Sequence, residues 1–140
     1  MPIRCEIVSQ DRVVYTDDVD IVVLPGAGGV MGILPNHSPV LTTLQFGIIT
    51  VRKKGEEQFI TVAGGVAEVQ PDQVTVLADA AENVEEIDTQ RAEAARKRAE
   101  ELLQKGVGPD TDQYLAIQAA LRRSNLRLDA AQRLRRSRRS

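Results

Sequence analysis

Three arginines in the second half of the chain have the type and spacing to bind one negative ligand. Arg123 and Arg127 are four residues apart in a helical pattern, where like charges repel unless an anion or a carboxylate lies between them. If the chain folds back at residues 108–109, Arg91 lies about level with Leu126 and therefore close to both arginines. Guanidinium groups bond well to phosphate oxygens, so this arrangement predicts an anion site.

The other reactive residue types do not predict a catalytic or metal site. His37 is the only histidine, and the loop 35–39 around it contains no nucleophile elbow, so a structural role is favoured over general-base catalysis. Cys5 lies in an alternating apolar run, which favours a place in the core. One histidine and one cysteine do not make a zinc site, and the acidic pairs at 17–18 and 85–86 lack calcium-loop spacing.

A glycine cluster at residues 26–32 invites comparison with phosphate-binding loops. No Gly-Lys-Ser/Thr follows it, and Met31 takes the position of the last glycine in the dinucleotide fingerprint. The sequence after the cluster is also not helical in pattern. The cluster therefore predicts a turn between two strands.

The chain divides at residues 87–92 into halves of different composition and charge. Residues 1–86 hold 5 Lys and Arg against 13 Asp and Glu, whereas residues 87–140 hold 13 against 7. Runs of Val and Ile with Gly and Pro turns give way to Ala, Leu, Arg and Glu at helical spacing. We therefore expect two domains, 1–86 and 87–140, with different partners and with movement at their junction.

The first half has the pattern of a β-sandwich or barrel. Short apolar runs recur at regular spacing and are separated by turns that contain Gly, Pro or Asp. The predicted strands are Ile3–Ser9, Val19–Leu24, Gly32–Leu34, Gly47–Arg52, Gln58–Ala63 and Val74–Ala78.

The second half predicts two antiparallel helices. Apolar residues recur three and four apart between Ala92 and Leu102, and residues 106–109 end that pattern before a second helix begins near residues 110–112. The short break makes the two helices neighbours in a hairpin. Because the facing stripe is largely alanine, it buries little apolar area, and we expect the hairpin to open or relocate.

One long segment carries no charge. No Asp, Glu, Lys or Arg occurs from Ile21 to Val51, but prolines and glycines interrupt the run, so it does not predict a membrane-spanning helix. Its turns have two interpretations that the pattern leaves open. They are either tight connections of a compact core or part of a surface that docks on a partner.

Four segments in series, followed by the alanine-rich hairpin, carry a family resemblance over nearly the whole chain. They are GILPNHSPVLT at 32–42, GGVAEV at 64–69, VTVLA at 74–78 and the Ile-Asp-x-x-Arg-Ala junction at 87–92. In this order they resemble the epsilon subunit of bacterial and chloroplast F-type ATP synthases. The resemblance implies an α+β fold, with an N-terminal antiparallel β-sandwich of about ten strands and a C-terminal antiparallel two-helix hairpin.

The resemblance also implies a function and partners. The chain is expected to be a non-catalytic rotor subunit that couples the gamma subunit to the c-ring during proton-driven ATP synthesis. An extended hairpin would contact the alpha and beta subunits and restrain ATP hydrolysis. The implied location is peripheral, on the cytoplasmic face of a bacterial membrane or the stromal face of a thylakoid.

The expected rotor contact falls on two loops of the uncharged segment. The residues that correspond to the family's rotor-facing edge are Gly29, Val30, Met31, His37 and Ser38. Many family members have an acidic residue where this chain has Val30. A contact with the c-ring through charge is therefore not expected here.

In some epsilon subunits the junction and arginines of the second helix bind ATP and hold the hairpin folded. No cofactor is implied as a requirement, and ATP is the candidate regulatory ligand. Two simpler roles remain open, because Asp88 is also suited to cap a helix and Arg91 to pair with Asp88 or Glu93. Carried over to this sequence, the candidate residues are Ile87, Asp88, Arg91, Ala92, Arg123 and Arg127, with Glu82 as a weaker addition.

The basic tail leaves a rival hypothesis. Residues 122–140 hold eight arginines and one acidic residue, which suits a solvated terminus, an RNA or phospholipid contact, or an arm that reaches an acidic surface. Aromatic residues make up only 3% of the chain, so an acidic protein partner is favoured over nucleic acid. The rival is an independent anion-binding or nucleic-acid-binding module with a basic helical arm.

Overall fold

The computed structural model describes residues 2–10, 12–106, 108 and 111–139. Val107, Pro109 and Asp110, which belong to the expected helix connection, and Ser140 of the basic tail lie outside the described residues. In chain order the elements are β1 Ile3–Ser9, β2 Arg12–Val19, β3 Ile21–Gly26, β4 Gly29–Ile33, β5 Val40–Lys53, β6 Glu56–Val69, β7 Gln73–Ala78, β8 Ala81–Asn83, a short 3₁₀ helix Val84–Glu86, α1 Thr89–Gln104 and α2 Asp112–Arg139.

The strands form two layers because β5 and β6 are long enough to enter both. The order is β2-β1-β7-β6-β5-β3-β4, with β8 beside β6. Residues 65–69 of β6 pair with β7, whereas residues 60–62 pair with β8. The first layer therefore contains β2, β1, β7 and one half of β6 and β5, and the second contains β4, β3, β8 and the other halves.

The bend of β6 between the layers depends on a glycine pair. Gly64 and Gly65 have φ angles of 93° and 134°, a region that other residues rarely adopt. A Cβ atom on Gly65 would also lie 2.4 Å from the carbonyl oxygen of Leu77 on β7. The glycines thus allow the strand to change direction where it meets its neighbour.

The expected sandwich is confirmed, with differences in detail. When each half of β5 and β6 is counted separately, the two layers hold ten strand segments. All strand pairs are antiparallel except β1 with β7, which is parallel. Two strands were not predicted, namely β2, whose polar residues interrupt the apolar alternation, and β8, which has only three residues. The predicted strands 47–52 and 58–63 also cover only one half each of β5 and β6. The glycine cluster forms the predicted turn, between β3 and β4.

The main core lies between the two layers. It contains the inward residues of alternating strand positions, including Ile3, Ile7 and Val76. Cys5 belongs to the same cluster, as its pattern predicted, and is fully buried. Burial raises the pKa of the Cys5 thiol to about 12, so it stays protonated and unreactive near neutral pH.

The two helices form the expected hairpin, with defined ends. The carboxylate of Asp88 accepts a hydrogen bond from the backbone N–H of Arg91 at 3.1 Å and caps the start of α1. Gly106, with φ of 81°, follows the end of α1. The hydroxyl of Thr111 accepts from the N–H of Tyr114 at 3.0 Å and begins α2. Among the described residues, no helix has both the length and the apolar character needed to cross a membrane.

The hairpin lies folded on the second layer, and α2 makes the contact. Ala130 and Ala131 of α2 form a buried cluster with Ile48, Phe59 and Val84. Leu126, Leu134 and Ile87 pack around that cluster. This second core is smaller than the first. The buried residues that α2 contributes to it are both alanines.

Candidate functional site

A cavity of about 270 Å³ lies where the domain junction meets α2. Six of the seven candidate nucleotide residues line it. Arg123 does not, and Glu86 and Ala95 line it without having been predicted. The lining residues are Glu82, Glu86, Ile87, Asp88, Arg91, Ala92, Ala95 and Arg127.

Two consecutive turns of the backbone place the junction residues around this cavity. The side chain of Asn83 accepts a hydrogen bond from the N–H of Glu85 at 3.1 Å and starts the 3₁₀ helix. The N–H of Ile87 then bonds the carbonyl oxygen of Val84 at 3.1 Å and ends it. Asp88 begins α1 immediately afterwards, so its simpler role as helix cap is present in this structure.

Of the two arginines that line the cavity, Arg127 already has a carboxylate partner. The Nε atom of Arg127 donates to an oxygen of Glu82 at 2.9 Å, and a second guanidinium nitrogen bonds the same oxygen. Glu82 lies on β8, 45 residues away in sequence from α2. Glu82 thus supplies, from within the chain, a carboxylate that offsets the charge of Arg127.

The other lining arginine, Arg91, is available to a ligand. Within the described part of the chain, no ion pair includes Arg91 or Arg123. Glu93, one alternative partner for Arg91, is bonded to Arg96 instead, and this bond lowers the pKa of the Glu93 carboxyl group. Arg91 lines the cavity, whereas Arg123 is exposed outside it.

The remaining lining residues give the cavity a mixed character. Ile87, Ala92 and Ala95 supply an apolar wall. The carboxylates of Glu86 and Asp88 offer acceptor oxygens, although Glu86 also pairs with Arg12 of β2 at 3.2 Å. The arrangement suits a ligand with an apolar ring, hydrogen-bond donors and an anionic group that reaches Arg91.

The unpredicted lining residues had a signal in the sequence. Glu86 directly precedes the junction motif. Ala95 follows Arg91 by four residues, so Ala95 and Arg91 lie on the same face of α1. Extending the motif by one residue before it and one helical turn after it would have found both.

The candidate rotor residues fall into two groups that β4 separates. Gly29 and Val30 begin the strand at the turn after β3, and the Val30 side chain is 79% exposed. His37 and Ser38 follow the end of β4, and the Nδ1 atom of His37 lies 2.7 Å from the carbonyl oxygen of Ser38. Met31 packs against the main core, so its side chain contributes less to this surface.

A second exposed surface was missed by the sequence analysis. Val13, Val8, Leu77 and Val66 are paired side by side across β2, β1, β7 and β6, on the outer face of the first layer. We call these four residues the apolar row. Leu77 is 59% exposed and Val13 is 55% exposed, and Leu41 on β5 is exposed near the end of the row.

Opposite charges meet between the two halves of the chain. Besides the pair of Arg127 with Glu82, Arg138 near the end of α2 bonds Glu85 at 2.7 Å. The guanidinium of Arg122 lies 4.9 Å from the ring centre of Phe46 on β5. Part of the charge asymmetry of the sequence is therefore used within the chain.

Comparisons with known proteins agree with this architecture. The model of the ATP synthase delta/epsilon chain β-sandwich domain matches residues 2–84, and that of the delta/epsilon chain long α-helix domain matches residues 85–132. The fold is also similar to a chain in the mitochondrial ATP synthase of Euglena gracilis, with a TM-score of 0.65 and 23% identity over 97% of this chain and 81% of that one.

Two relatives narrow the assignment. An ATP synthase epsilon chain of Herpetosiphon aurantiacus is 44% identical over 138 residues, which cover 99% of both chains. One of Pelotomaculum thermopropionicum is 51% identical over 102 residues, 73% of this chain and 76% of that one. The chain belongs to the ATP synthase delta/epsilon chain family. The resemblance to the epsilon subunit is thereby confirmed, and with it the expectation of a non-catalytic subunit.

Proposed function

We propose that the chain is a central-stalk subunit that couples the gamma subunit to the c-ring, and that its hairpin regulates ATP hydrolysis. Family membership supports the stalk assignment. The apolar row is the observation that carries it, because an exposed apolar surface on a small protein marks an interaction site. The hairpin covers the opposite face of the sandwich and leaves the row open.

The apolar row is the proposed gamma contact. Its side chains lie on four strands that are paired with one another. Charged residues such as Glu6 and Glu68 lie on the same outer face beside the row and would form a polar rim. The four apolar residues of the row would form the apolar core of such an interface.

The turn between β3 and β4 is the proposed c-ring contact. Val30 is the most exposed large apolar residue of the described chain, and no charged side chain lies in this segment. Contact with the ring would therefore rely on apolar packing rather than ion pairs. The chain would be peripheral to the membrane through the complex, on the cytoplasmic face in a bacterium.

The junction cavity is the proposed site for ATP. Its apolar wall would hold the adenine ring, and Arg91 would bond phosphate oxygens. The cavity is built from β8, the 3₁₀ helix and both long helices. A ligand that binds only this arrangement would favour the folded hairpin by population shift. Without it, the extended hairpin would carry the basic tail to the alpha and beta subunits.

Copurification tests the stalk assignment against the rival module. The full chain, tagged and coexpressed with the gamma and c subunits, is expected to retain gamma at a salt concentration that removes nucleic acid. An independent nucleic-acid-binding module would instead carry nucleic acid that salt releases, without gamma. Repeating the wash with ATP present would show whether nucleotide changes the association.

A further inference from the structure

A groove separate from the junction cavity runs between α2 and the bend of β5. Its volume is about 810 Å³, and its helix wall is formed by residues that share one face of α2. Leu44 and Phe46 form the strand side, and the helix side is lined by Arg122, Asn125, Leu126 and Asp129.

The strand side of this groove is held in place by backbone and side-chain bonds. The amide nitrogen of the Gln45 side chain donates to the carbonyl oxygen of Ala27 at 2.8 Å. The N–H of Ala27 donates to the carbonyl oxygen of Thr43 at 2.9 Å. These bonds fix the turn after β3 against β5, so a ligand would meet a surface that is already ordered.

The charge of the groove favours a negative occupant. Arg122 forms no ion pair with any described residue, and its guanidinium stacks on the Phe46 ring. Stacking leaves the N–H groups at the guanidinium edge free to donate. The carboxylate of Asp129 also lines the groove, but Arg133 pairs with it at 3.4 Å. The segment that contains Phe46 adds no acidic residue.

The dimensions favour a short polypeptide segment. From Arg122 to Asp129 the helix rises about 10 Å, at about 1.5 Å per residue. An extended chain covers that distance with about three residues. The groove is open to solvent, so a segment of another chain can reach it.

We propose that this groove binds a short extended segment of another protein, in which a carboxylate bonds Arg122 and a neighbouring apolar side chain packs on Phe46 and Leu126. Because α2 supplies one wall and β5 the other, the groove exists only while the hairpin is folded on the sandwich. The segment therefore binds the folded form alone and stabilises it. The groove shares no lining residue with the junction cavity. Both sites need the folded hairpin, so the segment and ATP would each favour binding of the other.

Fluorescence anisotropy with a synthetic probe tests this proposal. The probe is a labelled five-residue peptide that alternates glutamate and leucine, and the control peptide has lysine in place of glutamate. The full chain is expected to bind the acidic peptide and not the basic one. R122Q should weaken binding about tenfold, the effect of one charge-assisted hydrogen bond. R135Q, which removes one exposed charge of α2 outside the groove, should change it by less than about twofold.

Amide NMR shifts on addition of the acidic peptide locate the bound segment. The proposal requires shifts at residues 44–46 and 122–129. The absence of binding, equal loss in R122Q and R135Q, or shifts confined to residues 133–139 would overturn it. Displacement of the peptide by a short oligouridine that binds more tightly would also overturn it, because the groove would then be a nucleic-acid site.

Discussion

The two outer faces of the sandwich carry similar apolar side chains but differ in how far these side chains are exposed to solvent. On the second layer, Ile48 and Phe59 point outward and are only 7% and 5% exposed, because α2 covers them. On the first layer, Leu77 and Val13 also point outward and are 59% and 55% exposed. The chain thus covers one face with its own helix and leaves the other face exposed.

The covered face is held by modest interactions. The helix contributes alanines and partly buried leucines to the contact, and the ion pair of Arg138 with Glu85 is well exposed. Exposed pairs of this kind are worth about 0–1 kcal/mol each. Modest interactions of this kind would suit the proposed opening of the hairpin, and the proposed gamma contact lies on the other face.

Removal of the Phe59 ring, which lies under α2, should have the largest effect on stability. Phe59→Ala deletes a buried side chain between β6 and the helix, and we expect a loss of about 3–5 kcal/mol in unfolding free energy. Denaturant unfolding measures the loss, and hydrogen exchange should show faster opening of α2 than of β6. Phe46→Ala, at a ring that is 36% exposed, is the control and should cost less. Equal losses would contradict a hairpin contact centred on Phe59.

A charge in the apolar row should act on the partner and not on the fold. Leu77→Glu is expected to weaken gamma binding about 100-fold, since a central apolar contact is replaced by a charge that loses its water. Leu115→Glu is a matched control, because Leu115 is 57% exposed on α2. Surface plasmon resonance with immobilised gamma measures both variants. Equal weakening by the two variants would remove the row from the interface.

ATP bound in the junction cavity would hold the hairpin on the covered face, so the third prediction concerns ATP affinity. Arg91→Ala removes the unpaired guanidinium of the cavity, and we expect ATP affinity to fall about tenfold or more. Isothermal titration calorimetry gives the affinities, with Arg98→Ala, a variant on α1 outside the cavity, as control. Equal heats for wild type and Arg91→Ala, or no heat from either, would contradict ATP binding at this site.

The smallest effect is expected at the rim of the covered face. Arg138→Gln removes the bond to Glu85 and should ease opening of α2 by less than about 1 kcal/mol, an effect that salt also produces. Hydrogen exchange of α2 at low and high ionic strength measures it. A salt dependence that persists unchanged in Arg138→Gln would assign the effect to other charges.

The sequence predicted the hairpin that covers one face, but it did not predict the apolar row on the open face. The hairpin follows from local patterns, namely Asp88 as a cap and alanines at helical spacing, and these need no knowledge of distant residues. The apolar row depends on pairing register, because Val8, Leu77 and Val66 become neighbours only when β1, β7 and β6 are aligned. Their outward direction is set by that register rather than by any single strand.

The junction site shows the same division. Four of its eight lining residues lie in the motif at residues 87–92, so the sequence alone places them close together. The partner of Arg127 was not identified from the sequence, because Glu82 meets it only after α2 folds back onto the sandwich. Likewise, β2 was missed because Asp17 and Asp18 lie in it, and their ion pairs with Lys53 and Arg4 stabilise a polar edge strand.

Hydrogen exchange of the full chain with and without gamma tests the central claim most directly. Peptides that cover β1 and β7 are expected to gain protection when gamma is added, whereas those that cover α2 keep the exchange rates of the free chain. The contrary result is new protection on α2 with unchanged exchange in β1 and β7. Gamma would then bind the helical side, and the open face would not be the rotor contact.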